Sequence, residues 1–166
     1  FKKLFSNYKI FSLDDFAIKE PIEDGNSFYE NALIKAKNGA HFSKKFTIAD
    51  DSGLVIPDLN FEPGIFSARY AGKNATDKNN RDKVIRKILK KNKEELDAYY
   101  VCILIGLRHE NDTLPIICEG RVHGKISINS SGDGGFGYDK IFYPDGFSSS
   151  MASLDEETKN IISHRA

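Results

Sequence analysis

Residues 99–107, Tyr-Tyr-Val-Cys-Ile-Leu-Ile-Gly-Leu, constrain the fold more than any other stretch and form the strongest strand candidate in the chain. Their near-continuous apolarity requires cover on both faces, so this strand belongs inside a layered sheet. Asn111-Asp112 supplies a turn. Residues 114–120, Leu-Pro-Ile-Ile-Cys-Glu-Gly, then return as an antiparallel partner. Pro115 stands near that strand's start, where a missing N–H is tolerated. Residues 121–126 extend this strand or begin another.

Helices flank the hairpin in sequence. Ser27 with Glu30 three residues later forms a capping box. Phe28, Ala32, Ala36 and Ala40 follow as an apolar stripe with Tyr29 and Leu33 alongside, leaving Asn31 and Lys35 off it. Thr76-Asp77 caps a second helix with Val84, Ile85, Ile88 and Leu89 as its buried face. Lys90, Lys91 and Lys93 suit that helix's negative end. A second capping box, Ser153-Leu154-Asp155-Glu156, starts a final helix. Residues 9–12 and 140–143 are short strand candidates. Helices alternating with strands around a central hairpin predict an α/β sandwich on a mixed sheet.

At 166 residues the chain suits a single domain with a substantial core. Lysine plus arginine match aspartate plus glutamate at 24 each, so charge gives no reason to expect nucleic acid or an anionic membrane. No apolar run approaches about 18 residues, and residues 1–8 turn polar too soon for a signal-peptide core. Cys102 and Cys118 lie in apolar runs without metal-ligand spacing, which predicts buried, reduced thiols in a cytosolic protein.

Chemistry concentrates in three places. Residues 47–72 begin with the apolar end of a strand, Thr47-Ile48-Ala49. Asp50 and Asp51 follow, and Ser52-Gly53 are expected to turn sharply. Adjacent carboxylates repel and need cationic compensation, for which a hard divalent cation such as Mg²⁺ is suited; a solvated Asx turn is the plainer alternative. Residues 130–139 hold four glycines in ten positions but no Walker lysine. They read either as a bulged hairpin loop or as a base platform, with Phe136 and Tyr138 stacking and glycines admitting the base edge. Lys159, His164 and Arg165 lie at the end of the sequence, where they suit the negative end of a helix.

Four separated motifs resemble the inosine triphosphate pyrophosphatase family, in its order and at similar spacing. They are Ser27–Ala32, the stretch from Asp50 through Glu62-Pro63-Gly64 to Ser67–Gly72, Gly132–Asp139, and Ile162–Arg165. The resemblance implies an elongated mixed sheet flanked by helices, two lobes and a substrate cleft between them. It implies Mg²⁺-dependent hydrolysis of ITP, dITP and XTP to the monophosphate and pyrophosphate by a cytoplasmic homodimer. Asp51 maps onto the metal ligand and general base, and Asp50 and Glu23 onto further metal positions. Glu23 is equally readable as a solvated loop acid. Ser52 falls on a phosphate contact, while Phe136, Gly137, Tyr138 and Asp139 fall on the nucleoside pocket. Lys159 falls on the nucleotide, and His164 and Arg165 on the purine. Inosine and xanthosine present an O6 acceptor where adenine presents an amino donor, so a donor aimed there separates them.

The family pattern also contains an N-terminal strand with a phosphate-binding loop and a C-terminal helix that residues 1–166 do not match. A nucleotide-binding chain without activity is therefore a second expectation. A third is an aspartyl-phosphate hydrolase using Asp50 or Asp51 as nucleophile, although such enzymes typically space their acids Asp-x-Asp.

Overall fold

The computed structural model describes residues 7–165. Among them, four strands form one open sheet in the order β1-β2-β3-β4. These are β1 (Thr47–Val55), β2 (Glu95–Leu107), β3 (Ile116–Ser127) and β4 (Phe142–Pro144). Three helices accompany them: α1 (Phe28–Ser43), α2 (Asp77–Lys90) and α3 (Glu156–Ile162). The chain is thus α/β, as its sequence predicts. No position between 98 and 107 is exposed, which fits the apolar run of β2. β3 and β4 pair antiparallel, with Lys125 opposite Tyr143.

The chain divides into two compact units. The first comprises Phe1–Asp50 and Leu104–Cys118. Here α1 buries Ala32, Ala36 and Ala40 as the stripe predicts. Asn31, expected off the stripe, is also fully buried, and its Oδ1 accepts the Gly25 N–H at 2.9 Å. Ser27 Oγ accepts the Glu30 N–H, while the Glu30 carboxylate reaches Asn26 N–H, one residue outside the expected box. Residues 9–12 form no strand. They line a cavity of about 780 Å³ together with Phe16, Phe46 and Ile48.

The second unit comprises Asp51–Ile103 and Glu119–Ala166. Its core gathers Leu54 and Ile56, Val84 and Ile88 of α2, Leu96 and Tyr100 of β2, and Ile126, Tyr138, Ile141 and Phe142. Each fully buried aliphatic side chain is worth roughly 1.5–3 kcal/mol relative to exposure. Thr76 Oγ1 caps α2 by accepting the Asn79 N–H. Leu89 departs from prediction and stays exposed, because it lies about 100° around the helix from the buried Ile88.

Two further expectations are corrected. The α3 N-cap is Asp155, which accepts the Thr158 N–H; the Ser153 hydroxyl instead meets those of Ser131 and Ser150. Cys102 is buried, but Cys118 is exposed on the first half of β3, where no residue through 119 is covered. No helix among the described residues is long and apolar enough to cross a membrane.

Candidate active site

The expected turn at Ser52-Gly53 does not form. β1 runs unbroken from Thr47 to Val55, since the apolar Leu54 and Val55 continue the buried strand beyond the polar residues. Alternation along a strand therefore sends Asp50 and Asp51 to opposite faces of the sheet, so the acids are not a side-by-side pair. Asp51 is buried, 8% exposed, in the second unit, whereas Asp50 is half-buried at the end of the first. Ser52 shares Asp50's face by the same alternation.

Glu23 lies in the first unit, where its carboxylate pairs with Lys35 Nζ at 3.0 Å. Among the described residues no three His, Cys, Asp or Glu side chains gather as a metal-binding group. A Mg²⁺ ion needs no such cage, because it commonly binds through one or two carboxylates with substrate phosphates and water. The hard oxygen donor of Asp51 fits that chemistry, whereas Asp50 faces the other side of the sheet and Glu23 is paired with Lys35, so the three expected metal positions do not form one ligand set.

Glu62, in the motif that follows, has a different job. Its carboxylate accepts from Lys87 of α2 and from the Tyr70 hydroxyl. The Lys87 hydrogen bond is the main reason its carboxyl sits below the usual range. Ser67 Oγ accepts the Leu54 N–H at 2.9 Å and donates to the Gly64 carbonyl at 2.6 Å. These residues fasten the stretch after β1 to the core.

Residues 132–139 form a tightly folded loop in the second unit. Gly132, Gly135 and Gly137 all have positive φ. A Cβ at Gly135 would stand 2.2 Å from Asp139 Oδ2 at a φ of +76, so a side chain here would strain the backbone and displace the Asp139 carboxylate. Asp139 accepts the Phe136 N–H at 3.2 Å and faces the Tyr100 hydroxyl at 3.4 Å. Burial is the chief cause that lifts its carboxyl above the ordinary 3.8.

Tyr138 is not a free stacking surface. Its ring lies in the core, and its hydroxyl donates to the Ser67 carbonyl at 2.8 Å. Phe136, 66% exposed, is the aromatic that the loop presents outward.

The C-terminal segment meets this loop. A Cβ at Gly134 would lie 3.4 Å from Lys159 Nζ on α3, and the positive charge of Lys159 favours ionised Asp139. His164 stacks on Tyr100 with ring centres 5.0 Å apart and planes 11° from parallel. Arg165 donates from Nη1 to His164 Nε2 at 3.2 Å. Gly120 on β3 admits the segment, since a Cβ there would stand 2.4 Å from the His164 carbonyl oxygen.

The structure thus brings Phe136–Asp139, Lys159, His164 and Arg165 together within the second unit, which also holds Asp51 and Ser52; Asp50 and Glu23 belong to the first. Sequence reasoning missed Tyr100, which reads as one more strand residue. It also missed Asp77 and Arg81 of α2, which bond Gly137. Asp77 signals only a helix start in the sequence, and nothing links Arg81 to a loop more than fifty residues away.

A family model described as the Ham1 family matches residues 1–166. The dITP/XTP pyrophosphatase of Legionella pneumophila (strain Lens) is 45% identical over 152 residues, covering 92% of this chain and 78% of that protein. The dITP/XTP pyrophosphatase of Acinetobacter baumannii (strain ACICU) is 43% identical, covering 99% and 82%. The solved structure of a HAM1 protein from Coxiella burnetii superposes with a TM-score of 0.94 at 40% identity, covering 99% and 84%.

Proposed function

The chain belongs to the Ham1 family, and from that premise we propose how its residues share the work of a nucleoside triphosphate pyrophosphatase. The protein hydrolyses non-standard purine nucleoside triphosphates. The single observation that carries this function is the identity of 43% to a dITP/XTP pyrophosphatase across 99% of the chain. ITP, dITP and XTP are the substrates, and the products are the monophosphate and pyrophosphate. Removing such nucleotides cleanses the nucleotide pool, a role suited to the cytoplasm.

The Asp51 carboxylate accepts the proton of the attacking water. The water oxygen joins the α-phosphorus as the bond to the α–β bridging oxygen breaks, and pyrophosphate leaves. Asp51 would hold Mg²⁺ together with substrate phosphates and water, and the ion would supply charge neutralisation on the phosphate oxygens. Ser52 faces away from Asp51 across the sheet and takes no part in this step. Phe136 stacks on the purine, and Lys159 contributes positive charge to the nucleotide. Gly137, without a side chain, leaves room for the base beside Phe136. Tyr138 and Asp139 act by holding the loop, one through Ser67 and the other through the Phe136 N–H. Arg165, oriented by His164, donates toward O6, which inosine and xanthosine present as an acceptor.

The homodimer belongs to the same proposal. Phe46 and Ile116 both lie over Gly106 in the first unit, and both are about half exposed, as an apolar contact between copies requires. Light scattering on the eluting protein checks it; a monomer mass at micromolar concentration removes this element.

The direct test of function is pyrophosphate release across ITP, dITP, XTP, ATP and GTP, with Mg²⁺ and with chelator. Release from the first three, lost on chelation, is expected. Equal turnover of ATP and ITP defeats the reading.

A further inference from the structure

Gly137 has both of its backbone polar groups held by side chains of α2. Its N–H donates to Asp77 Oδ2 at 2.7 Å, and its carbonyl accepts from Arg81 Nη1 at 2.6 Å. Asp77 and Arg81 are four residues apart, so one helix face presents the acceptor and the donor together. The capping bond of α2 comes from Thr76, so the Asp77 contact is not the helix's own cap.

Gly137 sits at φ +56, a region glycine enters and leaves readily. Its N–H belongs to the peptide unit that follows Phe136 and governs where that ring points. Its carbonyl belongs to the unit that precedes Tyr138, whose hydroxyl is anchored at Ser67. An unclamped glycine between an exposed ring and a buried one would let Phe136 sample many orientations.

We propose that Asp77 and Arg81 are positioning residues for purine binding, clamping Gly137 so that Phe136 is already aimed before the purine arrives. The proposal rests on reading this loop as the base platform. Neither residue touches substrate; both act through the loop backbone. Preorganisation of this kind saves the ordering entropy of binding.

The test uses the full-length protein. In Asp77→Ala, kcat/KM for ITP should fall about tenfold, the size of one charged hydrogen bond, with the loss carried by KM. Asp77→Asn keeps an acceptor oxygen and should recover most of that loss. Adding Asp77→Ala to a Phe136→Ala protein should cost nothing further, because the clamp acts through the ring. Additive losses overturn the proposal.

Arg81→Ala probes the other end of the same peptide pair should Asp77→Ala fold poorly, and an unchanged ITP KM there also overturns it. Amide exchange over residues 132–139, measured without nucleotide, should quicken in the alanine variants. Unchanged exchange overturns the clamp whatever the enzyme does. Wild-type protein that releases no pyrophosphate from ITP overturns the functional reading instead, and the exchange comparison still decides the clamp.

Discussion

β1 and the loop at 132–139 place their polar and aromatic groups by contrasting means. β1 positions Asp51 by strand geometry: the ladder fixes the backbone, and alternation fixes the face. The loop has no ladder to rely on. Asp77 and Arg81 hold Gly137, the Ser67 carbonyl holds Tyr138, and Tyr100 faces Asp139. A strand residue is therefore replaceable by an isostere without disturbing the fold, whereas a loop residue is a structural part as well as a contact. An isosteric substitution at Asp51 should change chemistry and leave stability alone. Substitutions in the loop should change affinity, selectivity and stability together.

The largest effect expected is at Asp51. Asp51→Asn keeps the shape but loses basicity and negative charge, so kcat should drop by roughly 10²–10⁴-fold. Nucleotide binding, read by calorimetry, should persist, and the melting temperature should hold. A variant that retains near wild-type kcat removes Asp51 from the mechanism. One that loses stability instead breaks the contrast between strand and loop.

Arg165→Ala comes next. A polar contact to O6 separates substrates better than shape does, so kcat/KM for ITP should fall at least about tenfold more than for residual ATP. Equal loss on both would place Arg165 on the phosphates. His164→Phe sharpens this test, because it keeps a ring against Tyr100 but removes the Nε2 that orients the guanidinium. It should reproduce part of the selectivity loss with little change in kcat.

Tyr138→Phe probes the loop as structure. It deletes the hydroxyl that donates to the Ser67 carbonyl and leaves that acceptor uncompensated in a buried setting. The cost should be about 1 kcal/mol, or a melting shift of roughly 2–4 °C for a domain of this size. No shift at all would mean that the loop is held elsewhere.

The contrast also explains what the sequence discloses. Ser27 and Thr76 act as caps where they are predicted, because capping is local chemistry that the flanking residues decide. The apolar run of β2 likewise declares its own burial. Ser52-Gly53 misleads because a turn and a strand interior admit the same residues; pairing on the sheet, which no local pattern encodes, settles the choice. Ser153 and Asp155 both offer a cap, and the contacts of Ser153 with Ser131 and Ser150 decide for Asp155. The acids, the glycine-rich loop and the terminal His164-Arg165 stand out by residue type and by resemblance. Tyr138's inward ring and the Asp77–Arg81 clamp do not, since each depends on contacts across more than fifty residues of chain.

The smallest effect expected is a pH dependence at Asp139. Burial raises its carboxyl above the ordinary 3.8, so the folded protein holds that proton more tightly than the unfolded chain does. Its contribution to stability is therefore fully present below 3.8 and is lost as pH rises through the raised value. Asn at this position keeps an oxygen for the Phe136 N–H but cannot ionise. The melting temperature of Asp139→Asn relative to wild type should consequently climb as pH rises from 3.8 toward neutrality. A relative melting temperature that falls over that range would mean that the ionised carboxylate is stabilised in the fold. Lys159, whose charge favours the ionised form, would then outweigh burial. The loop would in that case be held by charge, and its contrast with the strand would rest on electrostatics instead of neutral hydrogen bonds.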